Sequence, residues 1–222
     1  MPIKDYRHYY WVDDHFLERE VRSAFVQNHY LTAEQFFEIV FWKSRRPAKR
    51  IRAGLPDEAV KELTIAIANE KDPDAKLDLL LDKDGIDIAM ASAILTILYP
   101  DIFTVYDYRV REQLNKRIPD EKEQIRKLIT VLNRKEKKRL YWKYVSLVKG
   151  IYPDYSLRDC DRALWGESWY EDLQKFLHGE PDLKPTMELS ETVGNSESSR
   201  RARVGKGGLS HTNRKVNFDE LS

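Results

Sequence analysis

The sequence predicts an all-α fold, a compact bundle of about nine or ten short helices. Three observations carry this. Apolar residues recur three and four apart through nearly all of the first 178 residues; Val, Ile and Thr never fall into the alternating runs of a half-buried strand; and Pro, Gly or helix-capping residues punctuate the periodic stretches.

Taken in order, Phe16 to Tyr30 reads as a first helix. Thr32, with Gln35 three residues on, opens a second as a capping box, and Phe36, Phe37, Val40 and Phe41 carry it to Trp42. Pro56 and Pro73 sit at first-turn positions of a third and fourth helix, since proline has no amide to leave unbonded there. Asp82-Lys83-Asp84-Gly85 interrupts the period. A very apolar helix follows from Ala89 to Leu98 and ends at Tyr99-Pro100, and an irregular stretch leads to Asp107 and a helix through Val110 and Leu114. Further helices are expected at Glu121 to Leu132, Lys135 to Lys149, Leu157 to Trp165 with Ser156 as cap, and Trp169 to Leu177.

Composition narrows the class. The chain has 222 residues, 41% hydrophobic, with 5 Trp, 12 Tyr and 8 Phe, which suffices for one globular core and is too apolar for a disordered polymer. No stretch approaches a membrane span, and Met1 to Tyr10 lacks the apolar run of a secretion signal. The single cysteine, Cys160, excludes an internal disulfide and any four-cysteine metal cluster and suits a reducing compartment, so an intracellular location is expected, cytoplasmic or nucleoid-associated. With 38 Lys and Arg against 37 Asp and Glu, net charge gives no argument for a nucleic-acid partner; that must come from local patches. One patch runs from Lys43 to Arg52, with six basic residues and no acid. Another is the tail after Pro185, where six basic residues lie between Arg200 and Lys215 in a Ser, Thr, Asn and Gly background.

The most informative segment is Leu81-Asp82-Lys83-Asp84-Gly85-Ile86-Asp87-Ile88-Ala89-Met90-Ala91-Ser92-Ala93-Ile94-Leu95, followed by Phe103-Thr104-Val105-Tyr106-Asp107-Tyr108-Arg109-Val110. Two short helices joined at a glycine turn aim the first amides of the second outward, where the helix dipole favours an oxyanion such as a DNA phosphate. Asp107 follows 22 residues after Gly85, at a loop-to-helix junction.

In Leu81, Gly85, Ile86, Ala91, Ile94 and Leu95, then Thr104-Val105-Tyr106-Asp107 and Val110, the chain resembles the helix-hairpin-helix DNA glycosylase superfamily, which contains endonuclease III. The resemblance implies a glycosylase-like domain over residues 1–180; composition reads 181–222 as a disordered basic tail. It implies that a damaged or modified base, flipped out of double-stranded DNA, is released by hydrolysis of its N-glycosidic bond, in repair or in defence against modified foreign DNA. Asp107 would face the positive charge developing on the sugar; at ~4 Å and an effective dielectric near 20 this is worth roughly 4 kcal/mol, about a thousandfold in rate. It could also act as the base for the attacking water.

The break after the second helix falls where relatives place a loop that fills the duplex gap. Trp42, Lys43, Tyr106 and Tyr108 are the expected base-pocket residues. Ser44, Arg45, Arg46, Lys49, Arg50, Lys83, Gly85, Ile86, Asp87, Ile88, Ala89 and Arg109 are the expected DNA contacts. Three departures from the family pattern matter. Asp87 stands where the hairpin usually has a second glycine, Ala89 or its neighbours where bifunctional members carry a lysine nucleophile, and the iron-sulfur cysteines are missing. A monofunctional enzyme is expected, with no cofactor, no metal and no obligatory protein partner.

Two other readings stand beside this one. The scaffold could bind DNA without doing chemistry, or the chain could be an unrelated helical interaction protein. The alternative role for Asp107 is that of a helix cap. Asp13-Asp14-His15 is given no ligand role, and Asp159, Asp161 and Arg162 are read as ties between a late helix and the body.

Overall fold

The computed structural model describes residues 5–10 and 13–179; the expected tail lies outside them. Among the described residues there are ten α-helices and no strand, so the all-α expectation holds. The first helix, α1, spans residues 13–28 and is continuous through a π-helical turn at Leu17–Arg22, which points Leu17 and Val21 into the core. Asp13 and Asp14 occupy its first turn, where negative charge suits the dipole, and His29 ends it in the left-handed region at φ 62°. α1 thus starts three residues before the expected Phe16 and stops short of Tyr30.

α2 (Ala33–Lys43) opens with the predicted capping box: the Gln35 amide donates to Thr32 Oγ1 at 3.3 Å and the Thr32 amide to Gln35 Oε1 at 3.0 Å. α3 (Ala48–Gly54) was not expected. It buries only Ala48 and Ile51 and shows Lys49, Arg50 and Arg52 to solvent, so its periodicity is too thin to register among those three cations. In α5 (Pro73–Leu81) the proline stands in the first turn as predicted, whereas Pro56 is the N-cap of α4 (Asp57–Asn69), one residue before it. The buried Lys76 of α5 donates to the Ile67 carbonyl at 2.5 Å and to that of Glu70, closing the end of α4.

α6 (Ile88–Leu98) is the central helix, with ten of its eleven residues buried. Its small residues let the loop at 103–107 lie against it, where the Tyr106 amide donates to Ser92 Oγ at 2.9 Å. α7 (Tyr108–Arg117), a 3-10 turn at Pro119–Glu121 and α8 (Lys122–Thr130) lead to α9 (Arg134–Ile151). From α9, Tyr141 and Tyr144 hold the same loop by donating to the carbonyls of Thr104 and Val105 at 2.8 and 2.9 Å.

The last described helix corrects the sequence reading. Leu157 to Trp165 and Trp169 to Leu177 were expected as two helices, but α10 runs unbroken over Leu157–Leu177. Gly166 is not a breaker. A Cβ there would stand 2.0 Å from the Tyr6 carbonyl oxygen, so this glycine lets a short 3-10 turn at Tyr6–Tyr9 lie directly on α10. Tyr6 packs on Tyr170, and Tyr9 stacks on Trp169 at 5.4 Å between ring centroids.

Candidate functional site

The structure joins two of the residues singled out in the sequence. Lys43, last in α2, donates from Nζ to Asp107 Oδ2 at 2.7 Å and reaches the Tyr106 carbonyl at 3.5 Å. The two side chains are 7% and 9% exposed, so this is a buried ion pair. Asp107 is also the N-cap of α7, its Oδ1 accepting from the Arg109 amide at 2.9 Å. Burial works against its charge. The Lys43 ammonium, its hydrogen bond and the Arg109 amide outweigh burial and hold the carboxyl below its ordinary range.

Beside this pair lies a cluster the sequence reading did not assemble. Arg158, at the start of α10, is fully buried and donates to Asp14 of α1 and to Asp161 one turn along its own helix. Arg162 donates to Asp14 from Nε at 2.7 Å and Asp159 faces Arg7 at 3.6 Å, so these two tie α10 to the body as expected, whereas Asp161 pairs with Arg158 of its own helix. The Arg158 guanidinium lies 5.0 Å from the Tyr10 ring centroid and 5.8 Å from that of Trp42. Tyr10 meets Trp165 edge-on at 5.1 Å and Trp42 at 6.5 Å. Burial pushes the Asp161 carboxyl up to about 6 against the pull of Arg158, and the charge of Asp107 adds to the rise. The same burial, with Asp161, Asp14 and Asp107 nearby, pushes the Tyr10 phenol well above its ordinary value. Asp14 and Arg158 are 144 positions apart, and no local pattern announces a pair at that separation.

The other expected site residues divide. Trp42 is partly buried against the core, between Tyr10 and Arg158. Tyr106 turns inward, its hydroxyl donating to the Ile125 carbonyl at 2.8 Å and its ring packed on Tyr144, so it is a core residue rather than a pocket wall. Tyr108 is half-buried and its hydroxyl is enclosed without a hydrogen-bond partner. Arg109 is buried, with Nη1 donating to Asp172 Oδ2 at 2.6 Å; a guanidinium so held is withdrawn from any phosphate, which removes it from the expected DNA contacts.

Along the basic stretch, Ser44 forms the C-cap of α2, while Arg45, Arg46 and Lys49 are exposed and Arg45 lies over the Phe41 ring. Arg50 donates from Nε to Asp84 Oδ2 at 2.8 Å. In the hairpin, Gly85 has φ 81°, as its turn requires, and a Cβ there would stand 3.0 Å from the Ile51 side chain and 3.2 Å from the Ile51 amide nitrogen. Ile86 and Ile88 bury their side chains, Ala89 is partly buried, and the Ile86 amide donates to the Lys83 carbonyl at 3.1 Å. Asp87 does not turn its charge on a phosphate: it caps α6, accepting from the Met90 amide at 2.9 Å.

The Lys43–Arg50 stretch therefore bridges the two features the sequence marked. Its first residue holds Asp107 and its last holds the glycine turn. Two surface clefts, about 520 Å³ beside Lys135 and Trp142 and about 280 Å³ beside Lys116 and Lys175, do not reach Asp107. Among the described residues no group of His, Cys, Asp and Glu could hold a metal ion, and no helix is long and apolar enough to cross a membrane. In comparison with known proteins, no family model, curated protein or solved structure matches the chain.

Proposed function

We propose that the chain is a helix-hairpin-helix DNA glycosylase that hydrolyses the N-glycosidic bond of a damaged or modified base. The observation that carries this reading is the buried Lys43–Asp107 pair, set at the end of a cationic stretch whose other end grips the glycine turn. A carboxylate costs several kcal/mol to bury, and a hydrophobic pair would fill the same space without that cost. Such pairs concentrate where charge is used. With its pKa held down, Asp107 stays ionised at neutral pH, which suits stabilisation of positive charge on the sugar better than general-base work. Arg45, Arg46 and Lys49 supply exposed positive charge for the duplex backbone.

One observation favours a second reading, a DNA-binding protein without chemistry: both oxygens of Asp107 are already engaged, one as an ordinary helix cap. A single assay separates the two. Duplexes bearing a panel of lesions and modified cytosines are incubated with the protein and abasic sites are then cleaved with alkali. Strand breaks that vanish in Asp107→Asn and persist in Lys135→Ala support the glycosylase; binding without breaks supports the second reading. A chain that binds no duplex at low salt is neither.

A further inference from the structure

We infer that the ring of Tyr10 holds the place of an everted nucleobase, and that the slot formed by Trp42, Trp165 and the Arg158 guanidinium is the base-recognition site. This rests on the glycosylase reading and adds what that reading lacks, a binding surface beside Asp107.

The slot is assembled from three separate elements, the ends of α2 and the 3-10 segment and the first half of α10. Its floor is Arg158. Nη1 and Nη2 of that guanidinium donate to Asp161 and Asp14, which fixes its plane, while its buried Nε has no hydrogen-bond partner. At present the ring beside it is that of Tyr10, at 5.0 Å. Guanidinium planes and indoles are the surfaces on which proteins stack unpaired bases, and a cation beneath the ring also favours negative charge on a departing base. Lys43 follows Trp42 directly and holds Asp107, whose charge also acts on the Tyr10 phenol, so the carboxylate lies near the slot.

Tyr10 is also the member of the cluster best able to leave. It belongs to neither long helix. The segment before it is a single 3-10 turn laid on α10 through Tyr6 and Tyr9, the backbone contact that Gly166 permits, and Arg7, which pairs with Asp159 and lies over the Tyr155 ring. Displacing it breaks its ring contacts, the Arg158 hydrogen bond to its hydroxyl and its amide's bond to the Arg7 carbonyl, whereas opening the slot from Trp42 or Trp165 would disrupt the end of α2 or the interior of α10. The ligand class is a planar heterocycle of purine or pyrimidine size.

The test uses the full chain and no DNA, so it fails or succeeds independently of the glycosylase assay. Wild type and Tyr10→Ala are melted with adenine, hypoxanthine, cytosine or uracil at millimolar concentration, and with p-cresol as a mimic of the missing side chain. The expected result is that at least one nucleobase raises the Tm of Tyr10→Ala by 2 °C or more beyond its effect on wild type, by mass action on the emptied slot (about 2–4 °C corresponds to 1 kcal/mol in a domain of this size). A shift with p-cresol alone, or with nothing, overturns the inference. Gly166→Ala keeps Tyr10 but pushes its segment off α10. It is expected to bind the same nucleobase at least fivefold more tightly than wild type; equal affinity also overturns the inference, even if Tyr10→Ala does not fold.

Discussion

Lys43 Nζ and Asp107 Oδ2 are 2.7 Å apart although their residues stand 64 positions apart, and both side chains are almost wholly enclosed. Removing one partner strands the other's charge. Lys43→Met is expected to destabilise the protein by about 3 kcal/mol or more, and the double variant Lys43→Met/Asp107→Asn by less than the sum of the single changes, with a coupling of about 0.5–3 kcal/mol. Urea denaturation of the four proteins measures both; additive losses would mean that the pair does not interact.

Two carboxyls shift in opposite directions, and their pH signatures are opposite. Asp107, held below its ordinary value, stabilises the fold above the unfolded pKa near 3.9, and this support is lost as pH falls through its folded pKa. Asp161, raised to about 6, takes up a proton in the native state first, so its contribution declines as pH rises from about 4 to about 6 and is level above. Asp161→Asn should accordingly flatten that decline: the stability difference between wild type and variant should favour wild type more at pH 5 than at pH 7. Denaturation midpoints at the two pH values decide it.

Glycine substitutions should part by position. Gly85→Ala places a Cβ in a left-handed conformation and against Ile51, and should cost about 1–2 kcal/mol. Gly150→Ala, in α9 with no atom within 4 Å of the added carbon, should stabilise by about 0.5–1 kcal/mol. Thermal melts that rank the two alike would remove the hairpin turn and its contact with α3 from the account.

The basic stretch makes an electrostatic prediction. Arg45→Ala should weaken duplex binding and lower the slope of log affinity against log salt by about one. An unchanged slope in fluorescence anisotropy takes Arg45 out of the interface.

Helix existence was legible wherever one face was continuously apolar, as in α4 and α6, or a cap was spelled out, as by Thr32 and Gln35. α3 escaped because two buried residues among three cations make no period. The break expected before Trp169 is absent; Gly166 there gives up its side chain to a neighbour and not to a turn, and the approaching segment is 160 residues earlier. The site followed the same division. Lys43 and Asp107 could each be named from local context, but their pairing could not, and Arg109 and Tyr106 looked available only because the partners that bury them, Asp172 and Ile125, lie far along the chain. Asp14, Arg158 and Asp161 are ordinary charged residues in sequence and become unusual only when brought together without water.

Three of the chain's five tryptophans, Trp42, Trp165 and Trp169, touch either Tyr9 or Tyr10, while Trp142 is occupied elsewhere with Asp74. Ultraviolet emission from the unlabelled chain is thus weighted toward a single corner of the molecule. Detachment of the amino-terminal turn would register there as an optical signal, without any dye, cysteine tag or isotope.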